Sequence, residues 1–171
     1  MNEQDRFPIL IPLIALGFAA AHLTYEHFTG GVRSHNLLNN PDLPSISNWF
    51  GLITLPLLGV VLGLRVRDYP FMKRRLIGIP ISMLAPLLGA FVYGTALAAS
   101  FYFGATNITS AAFLGLFACG IMLPVYRIEY IFGFVAGMTV IFGGVLPLFI
   151  AIVVAAVSFV VRVIVSRVVK V

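Results

Sequence analysis

The sequence predicts an all-α, polytopic integral membrane protein: a helical bundle of six transmembrane helices, or alternatively five, with both termini cytoplasmic. The first observation is composition, because 60% of the 171 residues are apolar and only 10% are charged, whereas soluble domains are about 45–50% apolar and about one quarter charged. The second is the recurrence of apolar segments long enough to cross a bilayer. The third is the concentration of basic residues between particular segments. A soluble globular domain is therefore excluded, and the single cysteine, Cys119, cannot form an internal disulfide.

The first apolar segment, residues 7–27, has some features of a cleaved secretory signal, since Arg6 precedes it and small alanines lie near its end. Glu3 and Asp5 give it an acidic start, whereas signal peptides begin with basic residues. We therefore interpret it as the first transmembrane helix. Crossing a hydrocarbon core of about 30 Å takes roughly 20 apolar residues in a helix. By the same criterion, the next three spans are predicted at residues 47–64, 76–103 and 108–125.

The apolar tail, residues 130–169, is predicted to form two spans. As one helix it would be about 60 Å long, which is twice the thickness of the hydrocarbon core. Gly143 and Gly144 weaken a helix in the middle of this tail, and Pro147 removes a backbone donor just after them. We therefore place the last two spans at residues 130–143 and 148–169.

Basic residues mark two regions that are predicted to be cytoplasmic. They crowd the connection after the second span and the C-terminal segment, and basic residues accumulate in cytoplasmic loops. Six spans place both regions on one side of the membrane, whereas five would place the C-terminal cluster outside. We therefore expect six spans with both termini cytoplasmic, in a plasma membrane such as the inner membrane of a bacterium. The residues concerned are Arg65, Arg67, Lys73, Arg74 and Arg75 in the connection, and Arg162, Arg167 and Lys170 at the C-terminus.

The few remaining ionisable residues concentrate near the outer end of the first span. His22, Glu26 and His27 lie in its last turns, and His35 follows in the next connection. Ionisable side chains within a span are costly and mark functional sites by default. His22 and Glu26 are four residues apart and share one helix face, whereas His27 lies on another. A pair of glycines after the helix permits a sharp break, so His35 can fold back over the helix end.

These side chains predict a metal site as one of three alternatives. His22, Glu26 and His35 around one centre would hold a divalent transition metal, either zinc with an open fourth position or non-haem iron with two histidines and one carboxylate. The second alternative is a proton-active or substrate-binding site without a metal. In the third, His22 and Glu26 hydrogen-bond each other while the other histidines are solvated at the membrane surface. The spacing matches no metal-binding motif, so all three alternatives stay open.

The connection at residues 29–46 is predicted to be an ordered extracytoplasmic loop that covers this cluster. Its 18 residues make it the longest connection, and long connections are usually either functional or disordered. Its leucines and prolines are typical of an ordered segment, and Ser45 or Ser47 is expected to cap the following helix. The candidate catalytic residues are Glu26, His35 and Asp42, and the candidate substrate-binding residues are Asn36, Asn48, Trp49 and Tyr93.

Two specific function classes fit these features. The first is a small membrane-embedded enzyme, with or without a metal, that acts on a lipid-like or small apolar substrate. The second is a proton-coupled transporter or oligomeric channel protomer in which His22 and Glu26 exchange protons. An accessory membrane subunit is the third and least specific alternative. We favour the enzyme, because no charged residue is predicted in the inner half of spans two to five to line a path. The expected partners are membrane lipid and, in a homo-oligomer, further copies of the chain; nucleic acid is not expected, since no basic soluble domain exists to bind it.

Overall fold

The structure is a computed structural model that describes residues 3–36, 40, 42–69, 75–76 and 78–168, with side chains described from residue 8 onward. Within these residues the chain folds into six α-helices, so the all-α prediction is confirmed. Four helical segments are long and apolar enough to cross a membrane, which supports a membrane bundle. The helices are α1 (Glu3–Phe28), α2 (Gly51–Arg67), α3 (Ile81–Tyr102), α4 (Thr106–Met122), α5 (Ile128–Phe142) and α6 (Val145–Val168).

A short β-hairpin lies in the connection between α1 and α2. Gly30 and Gly31 end α1 with φ angles of +126° and +97°, which few other residues adopt, so the predicted break is confirmed. Strand β1 (Ser34–Asn36) then pairs antiparallel with β2 (Ser45–Ser47). Residues 37–39 and 41 of the predicted loop lie outside the described residues. The paired strands position the residues just before α2 against the end of α1.

A second strand pair shortens the third predicted span. Strand β3 (Arg75–Leu76) pairs with β4 (Ile79–Pro80), and the backbone reverses at Gly78, whose φ is +74°. Because Ile79 and Pro80 belong to this strand pair, α3 begins at Ile81. The prediction that the span begins at residue 76 is therefore wrong.

The apolar tail forms two helices, as predicted. The break falls at Gly143, which has a φ of +68°, and α6 begins two residues later. Pro147 lies in the first turn of α6, where a backbone N–H has no partner within the helix, so proline is tolerated there. Ser47 caps a single 3-10 turn, Asn48–Phe50, that precedes α2, and its hydroxyl accepts from the Trp49 N–H at 3.5 Å. The predicted serine cap is thus confirmed.

Close glycine contacts join the helices into two tight pairs. On α2, a Cβ added at Gly59 would lie 2.8 Å from the Pro12 Cα of α1, and one at Gly63 would overlap the backbone of Pro8. On α5, a Cβ at Gly133 would overlap the Leu87 carbonyl of α3, and one at Gly137 that of Phe91. Small residues at this spacing let helix backbones approach closely in lipid. Both glycine pairs therefore serve contacts within the bundle.

Contacts between helices that are distant in sequence define the two ends of the bundle. At one end, His22 of α1 meets Val140 of α5. At the other, Ser158 of α6 bonds to the Leu123 carbonyl after α4. We name the first end the hairpin end, because β1 and β2 lie there. We name the second the basic end, because it carries Arg65, Arg67, Arg75, Arg127, Arg162 and Arg167.

Candidate functional site

A buried hydrogen-bond network at the hairpin end centres on Glu26. Its side chain is 3% exposed, as is Asn48, which begins the 3-10 turn before α2. The Asn48 amide Nδ2 donates to Glu26 Oε1 at 2.7 Å, and the backbone N–H of Arg33 donates to Oε2 at 3.3 Å. Both carboxylate oxygens are therefore engaged, and the network ties the end of α1 to the hairpin and to the start of α2.

His22 extends this network to α5. Its Nε2 lies 3.0 Å from the Val140 carbonyl oxygen and 3.6 Å from Glu26 Oε1. A carbonyl oxygen only accepts hydrogen bonds, so this nitrogen carries the proton and donates it to Val140. The arrangement brings His22 and Glu26 together, as the sequence predicted. Because Nε2 carries this proton, it has no free lone pair for a metal ion in this arrangement.

The turn between α5 and α6 closes over the network. A Cβ at Gly143 would overlap the Asn48 side chain, and one at Gly144 would lie 3.3 Å from Gly51 and Thr54 of α2. From the sequence the two glycines were predicted only to break the helix, and their contact with Asn48 was not predicted. The adjacent glycines were a signal of close approach, but no local pattern indicates which residue approaches them.

His35 lies apart from this network, in strand β1. Its ring packs on Phe142 of α5, with ring centroids 5.9 Å apart. In the part of the chain that the structure describes, its buried Nε2 has no hydrogen-bond partner. Burial lowers the pKa of His35 below its ordinary 6.5; the Glu26 charge opposes the shift, the Arg33 charge adds to it and a hydrogen bond to the Ile141 backbone opposes it. The imidazole is therefore neutral at neutral pH, with a free ring nitrogen.

His35 and Asn36 border a cavity of about 330 Å³ at the hairpin end. Most of its wall is apolar, and α3, α4, α5 and α6 all contribute to it. We name it the hairpin cavity. Pockets of roughly 300–1,000 Å³ with apolar walls and a few polar groups are typical of small-molecule sites. Its apolar lining includes Phe101, Phe113, Met138, Phe142, Phe149 and Ile150.

The predicted three-ligand metal site has no support in this arrangement. Among the described residues, no group of three or more His, Cys, Asp or Glu side chains could hold a metal ion. His22 and Glu26 lie next to each other, but the third predicted ligand, His35, packs against Phe142 instead.

The other candidate residues are dispersed. Asp42 is exposed in the turn before β2, where its backbone N–H donates to Asn40 at 3.0 Å. Trp49 is 56% exposed. Tyr93 was expected to reach the outer cluster, but it lines a separate cavity and donates its hydroxyl to the Ala112 carbonyl at 2.5 Å. The direction of the Tyr93 side chain depends on the rotational orientation of α3 relative to α4. Hydropathy alone does not determine that orientation.

The hairpin end thus contains two polar features of different character. The network of His22, Glu26 and Asn48 bonds internally, which favours a structural role. His35 combines a free nitrogen with an apolar cavity, which favours ligand binding. In comparisons with protein-family models, curated proteins and solved structures, nothing matches this chain.

Proposed function

We propose that this protein is a small membrane-embedded enzyme that binds a lipid-like molecule in the hairpin cavity and uses His35 on the polar end of that molecule. The observation that carries the proposal is the buried, unpartnered Nε2 of His35 at the border of an apolar cavity. The proposal includes six membrane spans with both termini in the cytoplasm.

The lengths and charges of the helices support six spans. Helices α4 and α5 are shorter than the four long apolar helical segments: they have 17 and 15 residues and measure about 26 Å and about 23 Å at about 1.5 Å per residue. Seven of the 15 residues of α5 are buried among other helices, so protein rather than lipid surrounds much of it and an exact match to the bilayer is unnecessary. Arginines also gather at the end where α2, α4 and α6 finish, which is typical of a cytoplasmic side.

The composition of the cavity supports a lipid-like ligand. Aromatic and aliphatic side chains form most of its wall, so a ligand must be apolar over most of its surface. An unsatisfied buried polar group costs about 1–3 kcal/mol. A hydroxyl group that donates to Nε2 of His35 would remove that cost, as would a carboxylate that binds together with one proton shared between it and Nε2, and Asn36 offers a second hydrogen-bonding group beside it.

The state of His35 supports acid–base chemistry. A neutral imidazole whose other side is held by the Ile141 backbone presents a basic lone pair on Nε2. Such a nitrogen can accept a proton from a bound hydroxyl as that oxygen attacks, and the protonated ring can then give the proton to an oxygen that leaves. Glu26 contributes through its charge, which favours the protonated ring. Proton-coupled transport by His22 and Glu26 has less support, because both Glu26 oxygens are already engaged.

Binding of radiolabelled hexadecanoic acid to the purified protein in detergent tests the proposal. His35→Phe keeps an aromatic ring beside Phe142 and removes the nitrogens, so we expect binding about tenfold weaker, equivalent to one lost hydrogen bond of about 1.4 kcal/mol. His27→Phe is the matched control, since His27 is exposed and contacts Phe28. Absence of saturable binding, or equal binding by both variants, would contradict the proposal.

A further inference from the structure

A second cavity, of about 450 Å³, lies deeper in the bundle and is unused by the function proposed above. The same four helices, α3 to α6, form its wall. We name it the inner cavity. Small residues of α3 leave the space unfilled, and side chains from the other three helices form the rest of the wall. The lining includes Gly89, Tyr93, Leu116, Cys119, Phe134 and Ala151.

The two cavities are arranged end to end. On α3, Tyr93 lines the inner cavity and Leu97 lines the hairpin cavity, which places them one helical turn, or about 6 Å, apart. Phe134 and Met138 of α5 are related in the same way. Because both helices run from the basic end to the hairpin end, the inner cavity continues the hairpin cavity towards the basic end.

The inner cavity is poor in polar groups. The Tyr93 hydroxyl donates to the Ala112 carbonyl, and among the residues that the structure describes no charged side chain lines the cavity. Within those residues, the other side chains of its wall that carry a heteroatom are Cys119 and Tyr130. A hydrocarbon chain is the occupant that loses no hydrogen bonds on entering such a space.

The geometry points to a long-chain amphiphile, an acyl or isoprenoid lipid with one chain, whose polar head lies at His35 and whose hydrocarbon chain extends through the hairpin cavity into the inner cavity. This inference rests on the function proposed above and names its substrate class. The α3 residues that line the two cavities run from Ala85 to Phe101, a length of about 24 Å. The polar head lies at the hairpin end of this length, so a chain much shorter than about 24 Å would leave the inner cavity empty.

Displacement of radiolabelled hexadecanoic acid by octanoic or octadecanoic acid measures the preference for chain length. We expect wild type to bind octadecanoic acid at least about tenfold more tightly than octanoic acid, since each additional buried methylene adds affinity. Gly89→Leu places a side chain where nothing lies within 4 Å of the added Cβ, and it should reduce that preference to about threefold or less, because the leucine fills space that the longer chain would occupy.

Gly17→Leu is the matched control, because nothing lies within 4 Å of a Cβ added at Gly17 of α1 and it lines neither cavity. This variant should retain the wild-type preference. A preference that survives in Gly89→Leu, or that is absent from wild type, overturns the inference while the role of His35 stands. Loss of all saturable binding from wild type instead overturns the proposed function.

A second measurement needs no variant. Cys119 is the single cysteine of the chain and lines the inner cavity, so modification by N-ethylmaleimide reports its occupancy. We expect saturating octadecanoic acid to slow the modification at least about threefold and octanoic acid to leave the rate unchanged, because only the longer chain reaches the inner cavity. Equal rates with the two acids would overturn the inference.

Discussion

The side-chain amide of Asn48 donates to the carboxylate of Glu26 at 2.7 Å, and each residue is only 3% exposed. This bond joins residues that are 22 positions apart and connects α1 to the start of α2. A buried carboxylate that loses such a donor keeps its desolvation cost without compensation. The contact is therefore a central element of the hairpin end.

Asn48→Ala should destabilise the protein by about 1–3 kcal/mol, because it leaves Glu26 Oε1 without its donor. Asn48→Asp should cost more, since it places a second carboxylate against the first. Thermal unfolding in detergent measures both changes. Asn107→Ala serves as the control at an exposed asparagine and should stay within about 0.5 kcal/mol of wild type. Equal stability of the Asn48 and Asn107 variants would show that the buried bond contributes nothing.

Gly143→Ala should destabilise the protein more than Gly104→Ala. Both glycines have positive φ angles, +68° and +69°, so both substitutions strain the backbone. Gly143 combines that φ with a ψ of −174°, a conformation that essentially only glycine adopts and that costs other residues about 1–3 kcal/mol. A Cβ at Gly143 also overlaps Asn48, whereas nothing lies within 4 Å of one at Gly104. The difference between the two unfolding free energies therefore measures the backbone conformation of Gly143 together with its packing against Asn48. If Gly143→Ala and Gly104→Ala lose the same unfolding free energy, the α5–α6 turn does not pack closely against Asn48.

Acidification should destabilise the folded protein through His35. Burial lowers its pKa in the folded state below 6.5, so the unfolded chain takes up a proton at a higher pH than the folded chain. The stability contributed by neutral His35 is therefore complete above about pH 6.5 and is lost as the pH falls from there towards the folded pKa. Melting temperatures measured from about pH 7.5 to about pH 5.5 should show this decline.

His35→Phe should flatten that decline, because phenylalanine does not titrate. His27→Phe should keep it, since His27 is exposed. Identical slopes for wild type and His35→Phe would assign the pH dependence to other groups.

Single-cysteine labelling in a Cys119→Ser background tests the six-span topology. A membrane-impermeant maleimide should label Ser45→Cys in intact cells, and Asp68→Cys and Ser166→Cys only after permeabilisation, because the proposed topology places the arginine-rich basic end in the cytoplasm. All three positions are exposed in the structure. Labelling of Ser166→Cys in intact cells would indicate an odd number of spans.

Helix positions followed from local chemistry and were largely predictable. Gly143 and Pro147 marked the break in the apolar tail, and Gly30 and Gly31 marked the end of α1. Glycine and proline mark such positions because they change the set of conformations that the backbone can adopt. The start of α3 was misplaced, since Arg75 and Leu76 pair with Ile79 and Pro80. Apolar composition does not distinguish that short strand pair from a helical turn.

The proximity of His22 and Glu26 was also predictable, because residues four positions apart share a helix face. Their partners were not: Asn48 and Val140 come from distant segments, and their positions depend on strand register and on the packing of α5 against α1. His35 was expected to join the same cluster. The register that places it opposite Ile46 instead carries its ring to Phe142.

Hydropathy, charge and the positions of glycine and proline were sufficient to predict a helical membrane bundle and the end of it where polar residues concentrate. Each of these properties belongs to individual residues: hydropathy and charge set the free energy of transfer from water, and glycine and proline set the local backbone conformation. They can therefore be evaluated from the sequence alone. The separation of a bonded Glu26 network from a free His35, and the alignment of two cavities between α3 and α6, arise from helix rotation and long-range packing. Those features appear only when distant segments are brought into contact.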